Sequence, residues 1–339
     1  MTDEQPPIAP PPSPFDPPPP PGHGPFAFPP PPDQPQHYGA PRGYYPLDFN
    51  AVMRNTASIF RFAWPTLLTV ALIPNLVVYA FLVPLTAMVS PGFNRWLDAY
   101  QEALPTGEIP GLPEELRVPL LLMLLLAFAS VLVSVIVSAA IVEIGDSVFR
   151  GRPVSVQRAL GFALGRAPSV IGAQLLLVLA AFGVLLLGLV FGILLMSAGS
   201  WAIFLGLIVI VGAFAALIFL EVRWSLVVQA VVLEKMGAVD GLSRSWRLVA
   251  GSGWRVLGYI IFIGILTGVF AAILGAVPQA ILRLDGATST GAAVGTVLDG
   301  LAATLLAPIT PLVMLFLYYD LRYRANEPAP QPGEDRQLA

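Results

Sequence analysis

Residues 221–255, EVRWSLVVQAVVLEKMGAVDGLSRSWRLVAGSGWR, decide the fold class. The stretch leaves one long apolar run, 202–220, and feeds another, 256–276. Between them it places five of the 18 basic residues of the chain. A connection this rich in arginine, set between two runs of membrane length, is expected on the cytoplasmic side of a bilayer.

Working outward, four more runs reach the roughly 18 apolar residues that mark a spanning helix. They cover 66–89, 118–142, 169–196 and 294–319. Only 12% of the 339 residues are charged and 56% are hydrophobic, against about 25% charged in ordinary soluble domains. The expected fold is an all-α integral membrane domain over 50–324. Its six transmembrane helices form three hairpins, each preceded by a short interfacial amphipathic helix.

Charge placement orients the bundle. With the N-terminus inside, fifteen of the 18 basic residues fall on the cytoplasmic side. Only Arg95, Arg117 and Arg283 lie outside, with the acidic loop 90–117, which its prolines and glycines should make irregular. This asymmetry follows the positive-inside rule, so both termini are expected in the cytoplasm. No basic flank precedes an apolar run at the start, so no signal peptide is expected and the first span should direct insertion.

Three cytoplasmic stretches look alike: 50–65, 154–168 and 239–254. Each is a short segment with arginines, a break, and the entry to a span. In the third, Val239, Leu242, Trp246 and Val249 follow helical spacing, opposite Asp240, Ser243, Arg244 and Arg247. Such helices would lie among anionic headgroups, with Arg158, Arg166, Arg244, Trp246, Arg247, Trp254 and Arg255 as lipid contacts. The likeness reads as three repeated modules of interfacial helix plus hairpin, the alternative being common selection of such segments by the membrane.

Residues 1–47 hold 19 of the 35 prolines, in runs such as Pro17 to Pro21. Proline carries no amide donor and fixes φ, so this tail is expected to be disordered or polyproline II. It reads either as a docking segment for a cytoplasmic protein partner that grips PxxP or as a solvated spacer. A second disordered tail is expected over 325–339.

A run of 231–249, VVLEKMGAVDGLSRSWRLV, followed by GSGWRVLG at 251–258, resembles the signature of the glycerophosphoryl diester phosphodiesterase membrane-domain family. These are six-helix bacterial membrane proteins of unknown function. The ending Tyr318-Tyr319-Asp320-Leu321-Arg322-Tyr323-Arg324 is similar to the exit of that family's last helix, although Ala325-Asn326-Glu327-Pro328 departs from it. The resemblance covers roughly 50–324 and implies an integral membrane domain without the catalytic barrel. The preference for arginine over lysine suits a GC-rich bacterial genome.

Composition excludes much chemistry. There is no cysteine, and the two histidines, His23 and His37, lie in the tail, so neither thiolate nor imidazole can serve the membrane domain. No metal-ligand cluster, nucleophile elbow or phosphate loop is present. No cofactor and no enzymatic activity are expected, and a net charge of −3 gives no reason to expect nucleic acid.

The expected role is a membrane scaffold or adaptor. The alternative is a transporter or lipid-handling permease with a polar site near Glu143, Glu221 and Arg223. Glu221 and Arg223 are simple exit charges if the fourth span ends at 220. A helix continuing to Glu234 would exceed the bilayer core of about 30 Å and could draw them inward, where Glu143 is a candidate partner for Arg223.

Overall fold

The computed structural model describes residues 47–105, 107, 110–284 and 289–327. The expected disordered tails therefore lie outside the described residues, apart from Leu47 and residues 325–327. The described residues form nine helices and no strand. They are α1 (Phe49–Ala103), α2 (Glu114–Arg150), α3 (Val156–Met196), α4 (Ala202–Trp224), α5 (Val227–Leu233), α6 (Ala238–Val249), α7 (Gly253–Leu284), α8 (Ser289–Leu306) and α9 (Ile309–Arg324).

Six helical segments are long and apolar enough to cross a membrane, with α4–α5 and α8–α9 each counting as one interrupted segment. This is the all-helical, six-segment architecture that the apolar runs imply. Five of the helices, α1, α2, α3, α4 and α7, are longer than those runs. The 37 residues of α2 and 41 of α3 extend about 55 and 60 Å, roughly twice a bilayer core.

Side-chain exposure divides these long helices. On α2 the exposed large apolar residues run from Val118 to Val131, and on α3 most run from Leu175 to Met196. Beyond Val131, α2 is largely covered, from Val135 to Phe149. The far ends of α2 and α3 thus carry the lipid-like surface. The near ends, where α2 hands over to α3, build a protein core, called here the basic end.

The centre of that core is α9. Its residues Pro311 to Leu321 are all buried. Phe149 of α2 packs edge-on against Phe316 at 5.4 Å and tilted against Tyr319 at 5.5 Å, arrangements that aromatic quadrupoles favour. Gly145 makes this approach possible, because a Cβ there would lie 2.6 Å from Leu315 and 2.8 Å from Leu312.

Towards the far end the packing is of another kind. There α3 and α4 run antiparallel and touch through Gly188 against Ala213 and Gly192 against Gly206 and Ile210. Small residues let helices close when lipid offers no hydrophobic drive between them. Between α1 and α8, Asn75 donates to Thr304 at 3.3 Å and Thr86 meets Thr296 at 3.0 Å.

A kink sets the entry helix at 50–63 off from the first span within α1: Ala63 takes non-helical angles, two residues before Pro65. Three details differ from the sequence reading. The acidic loop is not irregular throughout, since α1 carries on through Pro91 to Ala103. Gly92 packs on Leu116 there, and Phe93, Trp96 and Tyr100 stack one turn apart at 5.6 Å. Tertiary contact outweighs the local breaking tendency.

The second entry segment merges with its span, as α3 runs unbroken through Pro168. The third copy, α6, is a helix of its own, ended by Gly251 at φ +82°, a conformation open to glycine. Its covered face also differs from the expected one. Gly241, Ser245, Leu248 and Val249 are buried, while Val239 is 68% exposed. Gly241 lies directly against Val231 of α5, so a residue without a side chain makes the closest contact.

Candidate functional site: the basic end and an acidic cleft

Near its end the last helix carries Tyr318-Tyr319-Asp320-Leu321-Arg322, and these residues take part in three ion networks at the basic end. The first surrounds Arg244 of α6. Its Nε donates to both carboxylate oxygens of Glu234 at 3.0 Å, and Nη2 donates to Oε1 at 2.9 Å. Nη1 donates to Glu327 at 2.8 Å, and Nη2 bonds the other oxygen of that carboxylate. The Tyr318 hydroxyl donates to Glu234, and Arg322 lies 3.6 Å from Glu327 and 3.8 Å from Glu234.

This set pairs two guanidiniums with two carboxylates, so its formal charge cancels. The side chains of Arg244 and Glu234 are only 13% and 16% exposed. The hydrogen bonds it donates to the Glu327 and Glu234 carboxylates raise the Arg244 pKa further above its ordinary range, against the opposing pull of burial. The Arg244 hydrogen bond also holds the Glu327 carboxyl below its usual value. Flat, forked geometry of this kind suits arginine and not lysine.

The second network surrounds Asp146 of α2, which is 4% exposed. Arg150 donates to it at 2.8 Å, and Arg152 and the Tyr319 hydroxyl also bond it. The third surrounds Asp320, which is fully buried. Arg324 donates to one of its oxygens at 2.9 Å, and Arg255 lies 3.0 Å from the same oxygen. Arg255 also donates to the Leu47 carbonyl at 2.6 Å, where the N-terminal tail joins the bundle.

The residues expected at lipid headgroups therefore divide. Arg244 and Arg255 turn inward to buried carboxylates. Arg166 is half-buried and donates to the Lys235 carbonyl at 2.9 Å, holding a turn in which Lys235 takes φ 54°. Arg158 and Arg247 are exposed, and Arg158 reaches the Pro153 carbonyl. Trp254 is 87% exposed and Trp246 37%.

The expected trio of Glu143, Glu221 and Arg223 does not assemble. Arg223 lies over the Trp246 ring at 4.9 Å and donates to the Trp246 carbonyl at 3.3 Å. Glu143 accepts from Ser147 on its own helix at 3.2 Å. Glu221 lines a cleft of about 510 Å³ bounded by α4–α5, α7, the α8–α9 joint and Ser138 of α2. Successive residues on a helix diverge by about 100°, so Glu221 and Arg223 face different neighbours.

Two helix interruptions border this cleft. One lies at Ser225 and Leu226 between α4 and α5, the other at Ala307 and Pro308 between α8 and α9. No group of three or more His, Asp and Glu side chains fit to hold a metal occurs among the described residues. The importance of Glu234, Asp146 and Asp320 was missed in the sequence, which assigned them no role. Their available signal was an acid placed close to arginines at a helix end.

No protein-family model, curated protein or solved structure matches this chain.

Proposed function

We propose that the chain is a non-enzymatic scaffold of a bacterial cell membrane, with both termini cytoplasmic, whose proline-rich tail tethers or recruits protein partners. The observation that carries this reading is the clamp at the root of the tail. Arg255 holds the Leu47 carbonyl and at the same time lies against buried Asp320. A tail fixed to an ion-paired core transmits position, as a tether requires.

Three hairpins agree with the contacts between chain neighbours α1 and α2, α3 and α4, and α7 and α8. An anionic headgroup layer fits the outward Trp254, Arg247 and Val239 at the basic end, through apolar insertion and charge attraction. The two runs that carry the family resemblance meet here. Arg244 and Glu234 belong to one, Tyr318 and Arg322 to the other.

Reporter fusions at the N-terminus, near residue 155, near residue 240 and at the C-terminus should all read cytoplasmic. Pull-down from native membranes should recover partners with the full chain and lose them when residues 1–46 are deleted. Recovery of the same partners from both forms would reject recruitment by the tail.

A second reading, a lipid-handling permease, is favoured by one observation. A carboxylate, Glu221, faces a cleft between two interrupted helices, the arrangement that builds substrate sites in many transporters. On that reading the polar site centres on Glu221, with Glu143 and Arg223 outside it.

A further inference from the structure

We infer that the cleft beside Glu221 is a binding site for a protonated amine carried on an apolar body. This deepens the second reading above and names the ligand chemistry it requires. Glu221 follows the wholly uncharged run 202–220 and has no hydrogen-bond or ion-pair partner among the described residues. No basic side chain lines the cleft. Arg223, the nearest cation in sequence, is occupied with Trp246.

Several polar groups around Glu221 can accept a hydrogen bond. Gln229 lines the cleft, is 3% exposed, and its Oε1 lacks a donor. A buried acceptor of this kind is costly unless a donor arrives. The hydroxyls of Ser225 and Thr267 donate to the Val222 and Ile263 carbonyls at 3.0 and 2.7 Å, which leaves oxygen lone pairs for the cleft. Pro311 has no amide hydrogen, so the carbonyl of Ala307, on the cleft wall, lacks its helical donor.

One negative charge, several acceptors and no competing cation select a positively charged donor. An ammonium group supplies three N–H bonds and one compensating charge. The walls include Val228, Ile260, Ile263 and Met314, which favour an apolar body behind the ammonium. At about 510 Å³ the cleft is sized for a small organic molecule, and it is far roomier than a bare monovalent cation needs. Its source is either a membrane aminolipid or a free alkylamine.

The test uses the full chain in phosphatidylcholine nanodiscs. Decylamine should raise the apparent melting temperature saturably, and decanol and decyl sulfate should not. Glu221→Gln should weaken decylamine binding by about tenfold or more, as loss of a charge-assisted bond implies, while Glu102→Gln should leave it unchanged. Because Glu221 has no partner, the ligand-free melting of Glu221→Gln should match the parent, which separates a binding defect from misfolding.

Native mass spectrometry after reconstitution with phosphatidylethanolamine distinguishes the source. Retention by the parent and loss in Glu221→Gln identifies an aminolipid. Decylamine binding without such retention identifies a free amine. Equal decylamine affinity in parent and Glu221→Gln would overturn the proposal, as would stabilisation by sodium chloride alone that vanishes in Glu221→Gln. Equal binding of decanol and decylamine would reject amine recognition yet leave the permease reading standing. Absence of binding by every probe would remove both.

Discussion

Arg244 and Glu234 stand ten residues apart and meet through a forked contact of 2.9–3.0 Å, because the turn between α5 and α6 folds one helix back on the other. The other side of the same guanidinium takes Glu327, beyond the end of α9. One side chain therefore joins the middle of the chain to its last helix. Its removal leaves Glu234 mostly buried with a weak contact from Arg322 and the Tyr318 hydroxyl.

Arg244→Ala should accordingly destabilise the bundle by about 3 kcal/mol, the cost of leaving a buried charge unpaired. Arg244→Lys should recover only part of this, since an ammonium cannot fork. Melting of the detergent-solubilised protein measures both. In a double-mutant cycle with Glu234→Gln, the two losses should be strongly non-additive.

The two neighbouring tyrosines should respond alike in sign and differently in size. Tyr319→Phe removes a donor from Asp146, an acid only 4% exposed, and should cost about 1–3 kcal/mol. Tyr318→Phe removes a donor from Glu234, which keeps its fork from Arg244, and should cost less. Comparing the two melting temperatures with the parent checks the order.

Acid should weaken the first network through Glu327. Its folded pKa lies below the ordinary 4.5 because Arg244 hydrogen-bonds the charged form. The stabilisation is fully present above 4.5 and fades as pH falls through the lower folded value. Glu327→Gln should thus differ most from the parent near pH 7 and converge with it below pH 4.5. Melting curves taken across that interval test the sign.

Two glycines at close approaches should not tolerate side chains. Gly241 lies against Val231, and a Cβ on Gly145 would come within 2.6 Å of Leu315. Gly145→Ala should cost about 1–3 kcal/mol by overpacking. Gly241→Leu should cost at least as much, by lifting α6 from α5. Gly258→Ala, where nothing lies within 4 Å, is the neutral control by the same assay.

The sequence by itself determined the class of this protein. Six apolar runs and an uneven distribution of arginine specify spanning helices, because a bilayer selects on length and charge, and both are local properties. It also located the stretch 221–255, whose arginines, tryptophans and paired apolar runs are legible one residue at a time. It did not reveal that α2 and α3 extend well past the lipid-like surface, because exposure depends on neighbours.

Only the tertiary structure decided what the arginines do. Arg244 and Arg255 look like headgroup contacts in the sequence, yet carboxylates 10 and 65 residues away claim them. The buried face of α6 escaped notice because Gly241 and Ser245 carry no apolar signal, and close packing there requires smallness. Arg223 turned out to lie over the ring of Trp246, and Glu143 to accept from Ser147 of its own helix. Glu221 acquired its meaning only in the fold, since a partnerless carboxylate becomes a site once a cleft has formed beside it.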